Sequence, residues 1–374
     1  MVAFISARGS AKAALAYYDH LRGDDYYSRE GEPPGRWAGK SAERLSLGGP
    51  VTHNEFAAAL DGVDPKTGER LAKLGPGRKH YAGWDMVFSA PKSVSLLWAL
   101  SDEPERLLIE HAQQSAVLTA AAHLERNWAW TARRDRDGQP KERTAGLLMA
   151  QFDHHTSRAR DPHLHTHSFI FNLAPRWDGS WGAITGRELY RAQKDAGAVY
   201  RRALANELER LDYRLDRDAQ GFRIAVIPRD IERAFSKRLM AIEEATRGFD
   251  RKTGKVMKAA NLRTAEAKRE ARLDGLLKGW AAEARALGFE LSPERRRAPP
   301  LMAAAGRSHF AAMAGRLPAA SRSAPPTAAV AIASPAAAQL KSQLGHALRS
   351  LDQPSGMSGT KVRLRQSERE QERE

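Results

Sequence analysis

Residues 147–173 read LLMAQFDHHTSRARDPHLHTHSFIFNL. The apolar ends of this stretch predict two β-strands, Leu147–Asp153 and Leu164–Leu173. A short polar segment separates them, and Pro162 within it stops any helix and starts the second strand. Strands joined by so short a connection pair antiparallel, because a parallel pair needs a long crossover. The stretch therefore predicts an antiparallel sheet.

Outside this stretch, strands and helices are mixed but do not alternate as βαβ units, which favours an α+β fold with a largely antiparallel sheet. Predicted strands and hairpins are Val2–Ser6, Asp85–Ser89, a turn at Trp177–Trp181, and Tyr213–Asp216 with Phe222–Ile227. Predicted helices are Ser10–His20, Thr52–Leu60, Lys92–Leu100, Glu105–Trp130, Arg187–Leu211, 228–246 and 262–287.

The C-terminal part of the chain differs in composition. The last tryptophan is Trp280, and the segment after residue 296 is rich in alanine and proline before it ends in alternating arginine and glutamate. A segment without aromatic residues or a steady apolar period cannot offset its ordering entropy. The sequence predicts one folded domain, 1–295, and a largely disordered linker and charged tail, 296–374.

The chain has 60 Lys and Arg against 45 Asp and Glu, a formal charge of +15. This excess suits a polyanionic partner such as nucleic acid. The absence of cysteine excludes disulfide scaffolds, cysteine-ligated zinc, Fe–S clusters and thiol catalysis. Since no stretch approaches the roughly 18 apolar residues of a membrane span, we expect no membrane insertion and a cytoplasmic protein.

Five of the twelve histidines lie between residues 154 and 167. Strand alternation puts His165 and His167 on one face, and the preceding strand brings His154 towards them. Neutral imidazoles are common ligands of divalent transition metals, and a three-histidine site leaves coordination positions open for catalysis. We expect His155 and His163 not to be ligands, because they fall out of phase or in the connection. The alternative is a half-buried strand without a metal.

Four of the eight tyrosines lie in eleven residues, as the pairs Tyr17-Tyr18 and Tyr26-Tyr27. A tyrosine phenolate can attack a phosphodiester and form a covalent phosphotyrosine. The acidic and basic residues between the two pairs predict an exposed loop. The alternative interpretation is that paired tyrosines cap a core or stack on bases.

Asp85 is the one acid in the otherwise apolar segment 83–89, on the side opposite Met86 and Phe88. A buried carboxylate is costly unless it is paired. Pairing with a metal-bound histidine or a tyrosine hydroxyl would make Asp85 an orienting residue or a general base. The alternative is an acid exposed to water. Lys92 follows at the start of the next predicted helix, where phosphate often binds.

Taken together, these residues resemble the MobF-type conjugative relaxases, the family of TrwC and TraI within the HUH endonuclease class. The resemblance covers about residues 1–290. It is carried by the two tyrosine pairs, by Arg36-Trp37-x-Gly39-x-x-Ala42-x-x-Leu45, by Asp85-x-x-Phe88-Ser89-Ala90-Pro91-Lys92-Ser93-Val94-Ser95, and by His154-x-Thr156-Ser157-Arg158-x-x-Asp161-Pro162-x-Leu164-His165-Thr166-His167.

The resemblance implies a central antiparallel sheet with flanking helices. It also implies a metal-dependent enzyme that nicks single-stranded DNA at a plasmid transfer origin and later rejoins the strand during conjugation. The metal would be Mg²⁺ or Mn²⁺, with Zn²⁺ or Ni²⁺ as alternatives. By the resemblance, its ligands are His154, His165 and His167.

The resemblance also assigns roles to other residues. Tyr17 would be the nucleophile and Tyr26 the second tyrosine, used in a later strand transfer. Asp85 would orient a histidine or accept the phenol proton, and Arg158 would contact the scissile phosphate. Further candidate DNA contacts are Tyr18, Tyr27, Lys92 and Arg160.

The implied partners are single-stranded DNA with an adjacent inverted repeat, accessory relaxosome proteins and a type IV coupling protein. Members of the family commonly continue into a helicase domain that is not found in these 374 residues, so unwinding is expected from a separate helicase. Export with the DNA through a type IV secretion system is a further expectation.

Two other interpretations stay open at this point. One is a replication initiator or transposase of the HUH class. The other is a non-catalytic DNA-binding module whose histidines hold a structural metal. A structural site usually has four protein ligands, and the sequence offers no evident fourth.

Overall fold

The computed structural model describes residues 3–22, 34–73, 80–132, 141–219, 221–247 and 272–291. Its strands are β1 Ala3–Arg8, β2 Arg36–Ala38, β3 Gly83–Ser89, β4 Trp130–Ala132, β5 Lys141–Arg143, β6 Met149–Thr156, β7 Pro162–Phe171, β8 Ala174–Pro175, β9 Trp181–Gly182, β10 Leu215–Asp218 and β11 Gly221–Ile224. Its helices are α1 Ala11–Arg22, α2 Lys40–Arg44, α3 His53–Leu60, α4 Lys92–Leu100, α5 Glu103–Trp128, α6 Gly186–Arg210, α7 Arg229–Ala234, α8 Lys237–Ala245 and α9 Leu273–Ala286.

Strand β7 is the central strand of a five-stranded sheet with the order β1-β3-β7-β6-β2. Every neighbouring pair in this sheet is antiparallel. The prediction of an α+β fold with a central antiparallel sheet and flanking helices is confirmed. The hairpin β6–β7, predicted from residues 147–173, therefore lies at the middle of the fold.

The two faces of the sheet have separate hydrophobic cores, because side chains alternate along each strand. On one face, Leu164 and Ile170 of β7 pack in a core with α4, α5 and α6. On the other face, Phe169 and Phe171 pack against Phe56 of α3. The predicted division of β7 into two faces is confirmed, and His165 and His167 belong to the second face.

Local signals set several helix ends. Thr52 and Glu55 form a complete capping box at the start of α3. The side chain of Asp102 accepts a hydrogen bond from the backbone N–H of Glu105 and starts α5 two residues earlier than predicted. Gly39 joins β2 to α2 with φ +87°, where a Cβ would lie 2.2 Å from the carbonyl oxygen of Leu147, so only glycine fits.

Two predicted helices differ from the structure. Helix α5 ends at Trp128, and Trp130 instead begins β4, which pairs with β5. The helix predicted over 228–246 is two helices, α7 and α8, interrupted at Phe235 and Ser236. The interruption has a tertiary cause: the carboxylate of Asp161 accepts the backbone N–H of Lys237 and starts a new helix there.

The described residues all belong to the first of two units of the chain, 1–302. The predicted disordered tail, the domain boundary at 295 and the N-terminal half of the helix predicted over 262–287 lie outside the described residues and stay predictions. Among the described helices, none is long and apolar enough to cross a membrane.

Candidate active site

Three histidines lie together on the face of the sheet that also packs against α1 and α3. His154 of β6 is directly opposite His165 of β7, and His167 lies two residues further along β7. The ring centroids are 5.4 Å apart for His154 and His165, 5.3 Å for His154 and His167, and 5.2 Å for His165 and His167. The predicted convergence of these three rings is therefore present.

The spacing of the rings fits a metal-ligand set. On a tetrahedral ion with nitrogen ligands at about 2.1 Å, imidazole centroids are roughly 5 Å apart. As placed, however, the described residues contain no group of three or more His, Cys, Asp or Glu side chains arranged to hold an ion. The strands thus set the separation of the three rings.

In two of these rings, the Nδ1 atom forms a hydrogen bond to another group of the protein. His167 Nδ1 donates to Asp85 Oδ2 at 2.9 Å, and His165 Nδ1 donates to the carbonyl oxygen of His163 at 2.8 Å. Because a carboxylate and a carbonyl only accept, Nδ1 carries the proton in both rings and Nε2 presents its lone pair. Such contacts fix the tautomer and the orientation of metal-binding histidines.

The environment also keeps His165 neutral. Burial lowers the pKa of His165 well below its ordinary value, and the neighbouring His163, His167 and His154 lower that pKa further. A neutral imidazole is the form that binds a metal. The three imidazoles, the spacing of their rings and the neutral form of His165 therefore fit a divalent transition metal.

Asp85 is buried, with 1% of its surface exposed, and it connects three elements. Besides His167, it accepts a hydrogen bond from the Tyr18 hydroxyl at 3.4 Å and lies 3.5 Å from the guanidinium of Arg8. Both partners considered from the sequence, a histidine and a tyrosine hydroxyl, are thus present at once. The alternative of an acid exposed to water is wrong.

The first tyrosine pair lies in helix α1, which confirms the helix predicted over Ser10–His20. Tyr18 is not exposed, however, and for this residue the alternative of a tyrosine packed against a core is confirmed. The ring of Tyr18 is 1% exposed and packs against Phe56, Phe152 and Phe169. It is therefore not available to stack on a base, and its hydroxyl supports Asp85 instead. Tyr17 precedes it in the same helix. The side chain of Tyr17, and both Tyr26 and Tyr27, lie outside the described residues.

The two histidines that we predicted not to be metal ligands lie in different surroundings. His155 stacks on Trp98 of α4 with ring centroids 4.6 Å apart, and it lies away from the three-histidine group. His163, in contrast, is in β7 and not in the connection, because the strand already begins at Pro162. Its ring stacks on His165 at 4.5 Å, and burial lowers its pKa to about 3. His163 is thus a neutral neighbour of the site.

The connection between β6 and β7 is a tight turn that carries Arg158 and Arg160, both exposed. Ser157 and Asp161 close the turn through two mutual hydrogen bonds, and Arg160 has φ +55°. The indole N–H of Trp280 in α9 donates to the carbonyl oxygen of Arg160 at 2.8 Å. This turn, with Arg158 on its surface, is therefore fixed from a distant part of the chain.

Lys92 fixes the same turn from helix α4. Its ammonium donates to the carbonyl oxygen of Pro162 at 2.7 Å. Burial lowers the pKa of Lys92 to about 8, although the nearby Asp161 and Glu232 raise that pKa in part. The structure thus gives Lys92 a structural contact, while its predicted contact with DNA stays a prediction.

We expect Lys92→Met to lower the free energy of unfolding by about 1 kcal/mol at pH 7, the value of one internal hydrogen bond. Because the folded pKa is lowered, the contribution of Lys92 to stability rises with pH between about 8 and 10. The deficit of the variant should therefore grow from pH 7 to pH 9 in urea unfolding. If Lys92 instead contacts phosphate, the variant would bind single-stranded DNA with a smaller salt dependence.

Sequence reasoning missed three residues of this region: Arg8, Asp161 in its capping role, and Trp280. Arg8 lies at the end of β1 opposite Gly83, two residues from Asp85 in the neighbouring strand. Trp280 was visible as the last tryptophan before the tail, and a tryptophan that late in a charged helix indicates a buried anchor. The pairing of Asp161 with α8 had no local signal.

The TrwC relaxase family model matches residues 11–287. The multifunctional conjugation protein TraI of Escherichia coli is 31% identical over 305 residues, which are 79% of this chain and 17% of TraI. TraI of the K12 strain is 34% identical over 224 residues, 57% of this chain and 12% of the relative. The chain thus spans less than a fifth of the length of these relatives.

Solved structures of the conjugative relaxase TrwC have the same fold. A metal-bound complex with transfer-origin DNA has a TM-score of 0.68 and 31% identity, and covers 78% of this chain and 100% of the TrwC chain. A complex with a 27-mer DNA comprising the recognition hairpin and the cleavage site has a TM-score of 0.67, with the same identity and coverage. On the family match, the identity and the shared fold, this chain belongs to the TrwC family of MobF-type conjugative relaxases.

Proposed function

We propose that this chain is a conjugative DNA relaxase that nicks one strand of DNA at a plasmid transfer origin through Tyr17. The observation that carries the proposal is the contact of buried Asp85 with both His167 and the Tyr18 hydroxyl. These contacts connect the three-histidine group to helix α1, in which Tyr17 lies. Family membership supports the proposal over a replication initiator or a transposase.

In the proposed reaction the Tyr17 phenol oxygen attacks the scissile phosphorus. The P–O3′ bond breaks, the phenol proton passes to a base, and the departing O3′ takes a proton. The product is a 5′-phosphotyrosyl link that keeps the energy of the phosphodiester, so that rejoining needs no ATP. Tyr26 would serve the second transfer in the same way.

The residues around Tyr17 would bind the metal ion and the DNA and orient the metal ligands. His154, His165 and His167 would hold a divalent ion, which supplies positive charge at the scissile phosphate. Since Asp85 already holds the proton-bearing Nδ1 of His167, its contacts support an orienting role. Arg158 on the exposed turn would contact phosphate.

The proposed substrate is single-stranded DNA with an adjacent hairpin, as in the TrwC complexes. The formal charge of +15 supports a nucleic-acid partner. We also propose the remaining partners of the family for this chain: accessory relaxosome proteins, a type IV coupling protein and a separate helicase. Action in the cytoplasm and export through a type IV secretion system belong to the same proposal.

The test is a denaturing gel of the protein with single-stranded oligonucleotides from the transfer origin of its own plasmid, with and without EDTA. We expect an adduct that resists denaturation, requires a divalent metal and is lost in Tyr17→Phe, because only the phenol oxygen forms the link. DNA binding should remain in that variant. Tyr190→Phe is the matched control: it removes the hydroxyl of an exposed tyrosine in α6, and its adduct should persist.

The other results discriminate between the alternatives. An adduct that survives in Tyr17→Phe and is lost in Tyr26→Phe would keep the reaction and reverse the order of the two tyrosines. Binding of DNA without an adduct, under any metal condition, would contradict the proposal and favour a DNA-binding module with a structural metal.

A further inference from the structure

The peptide group between His163 and Leu164 lies at an irregularity of the central strand. The pairing of β6 with β7 shifts just after His154, so that one residue of β6 faces two residues of β7. Such a bulge interrupts the regular ladder of backbone hydrogen bonds. On the other side of β7, the pairing with β3 ends at His165. This peptide group therefore takes hydrogen-bond partners from outside the two neighbouring strands.

The segment that leads into helix α4 supplies these partners. The N–H of Leu164 donates to the hydroxyl oxygen of Ser95 at 3.0 Å, and the carbonyl oxygen of Leu164 accepts the N–H of Ala90 at 2.9 Å. Ser95 is completely buried, and its own hydroxyl donates to the carbonyl oxygen of Pro91 at 3.4 Å. Because the hydroxyl proton is directed to the helix, a lone pair of the same oxygen is directed to Leu164.

The other end of this peptide group contacts the three-histidine group. Its carbonyl oxygen, that of His163, accepts a hydrogen bond from Nδ1 of His165 at 2.8 Å. The N–H of Leu164 and the C=O of His163 belong to one planar unit, so fixing the direction of one fixes the direction of the other. A continuous series of hydrogen bonds thus runs from Ser95, through this peptide group, to the ring of His165.

We propose that Ser95 is a positioning residue for the metal ligand His165 and acts through this peptide group. The inference rests on the proposed function for the role of His165 as a ligand. If the peptide group rotated, the carbonyl of His163 would turn away from Nδ1, and the ring would lose the contact that keeps its proton on Nδ1 and its Nε2 lone pair available. Asp85 contacts Nδ1 of His167 in the corresponding way.

Helix α4 also contains a closely matched control residue, Ser93. It is completely buried as well, and its hydroxyl oxygen accepts a backbone N–H at the same distance of 3.0 Å, from Ile224 of β11. Strand β11 pairs with β10 in a separate sheet that contains none of the three histidines. Ser93→Ala and Ser95→Ala therefore remove the same group from the same helix, and only Ser95→Ala affects the peptide group that contacts His165.

The experiment is a calorimetric titration of the metal-free proteins with Mn²⁺ and Zn²⁺, at a temperature at which all variants are folded. We expect Ser95→Ala to bind metal about tenfold more weakly than wild type, the lower end of the effect of losing a group that supports a ligand. Ser93→Ala should stay within about twofold of wild type. A merely structural role of Ser95 would lower the urea midpoint of unfolding in both variants and leave both metal affinities unchanged.

The tautomer of His165 in the metal-free protein is a second readout, and it is independent of catalysis. Nitrogen-15 NMR of the histidine side chains identifies the ring nitrogen that carries the proton. We expect protonation of His165 at Nδ1 in wild type and in Ser93→Ala, and a mixture of both tautomers in Ser95→Ala. Protonation at Nε2 in wild type would overturn the inference, even if Ser95→Ala did not fold.

Equal metal affinities of Ser95→Ala and wild type would also overturn the inference. The result is separate from the nicking reaction: if wild type binds metal but forms no adduct with DNA, the proposed function fails, and a weaker affinity of Ser95→Ala still supports the positioning role. If wild type forms the adduct and the two affinities are equal, the proposed function stands and Ser95 has no part in positioning His165.

Discussion

Asp85→Asn is expected to weaken the binding of a divalent metal by about 10- to 100-fold, the usual cost of losing a carboxylate that orients a histidine ligand. Asparagine is nearly isosteric but uncharged, and its amide can present either a donor or an acceptor to His167. The present contact, 2.9 Å between His167 Nδ1 and Asp85 Oδ2, holds the proton on Nδ1. Without this contact, the His167 tautomer that leaves the Nε2 lone pair available to bind a metal is no longer favoured.

The measurement is a calorimetric titration of the metal-free protein with Mn²⁺ and Zn²⁺, at a temperature at which all variants are folded. Asp153→Asn is the matched control, since it removes a buried carboxylate from strand β6 that faces helix α5 and not the histidines. Its metal affinity should stay within about twofold of wild type. Equal affinities for Asp85→Asn and wild type would contradict the orienting role of Asp85.

Asp153→Asn is expected to lower the free energy of unfolding by about 3 kcal/mol at pH 7, because it breaks the ion pair of the buried Asp153 with the partly exposed Arg36 and weakens two further hydrogen bonds of the same carboxylate. Asp153 is paired with Arg36 of β2, accepts the Thr166 hydroxyl at 2.6 Å and accepts Gln114 at 3.1 Å. These bonds connect three strands and a helix. Urea unfolding of the variant and wild type measures the difference directly.

The pH dependence gives a second test of the same residue. Burial alone would raise the pKa of Asp153, but the charge and hydrogen bond of Arg36 and the hydroxyl of Thr166 lower it, and the net shift is downward. Because the pKa of Asp153 is lower in the folded than in the unfolded protein, Asp153 contributes its full stability above the unfolded pKa of about 4. This contribution is lost as the pH falls through the folded pKa. The difference between wild type and Asp153→Asn should therefore shrink below pH 4.

The control for the stability measurement is Asp216→Asn, which removes a carboxylate whose side chain is 52% exposed and which is paired with Arg223. Exposed ion pairs contribute little, so we expect a change below about 1 kcal/mol. If Asp153→Asn and Asp216→Asn cost the same, the network around Asp153 does not stabilise the sheet.

Much of the site could be predicted because it depends on local rules. Strand alternation placed His165 and His167 on one face, and proximity along the chain brought His154 to them. The unusual acid in an apolar strand was sufficient to expect a paired role for Asp85, and the structure provides both expected partners.

The features that sequence reasoning missed depend on contacts between distant segments. Tyr18 is buried because its ring packs against Phe56 of α3 and against Phe152 and Phe169 of the sheet, which the charged residues that follow it in the sequence do not indicate. Helix α8 begins where it does because of Asp161, which lies 76 residues earlier in the chain. Such contacts are set by the packing of the whole domain, and propensity does not encode them.

The side chains on the two faces of β6 and β7 have different roles. We therefore expect insertions and deletions in these strands to be more damaging than substitutions. In β6, His154 belongs to the histidine group, while Asp153 and His155 contact helices on the other side. Because the side-chain period is two, one residue inserted between Met149 and His154 would exchange these faces. Two inserted residues would restore the faces but displace His154 by about 7 Å along the strand. Strand length is therefore fixed here, and length changes are expected only in the surrounding loops.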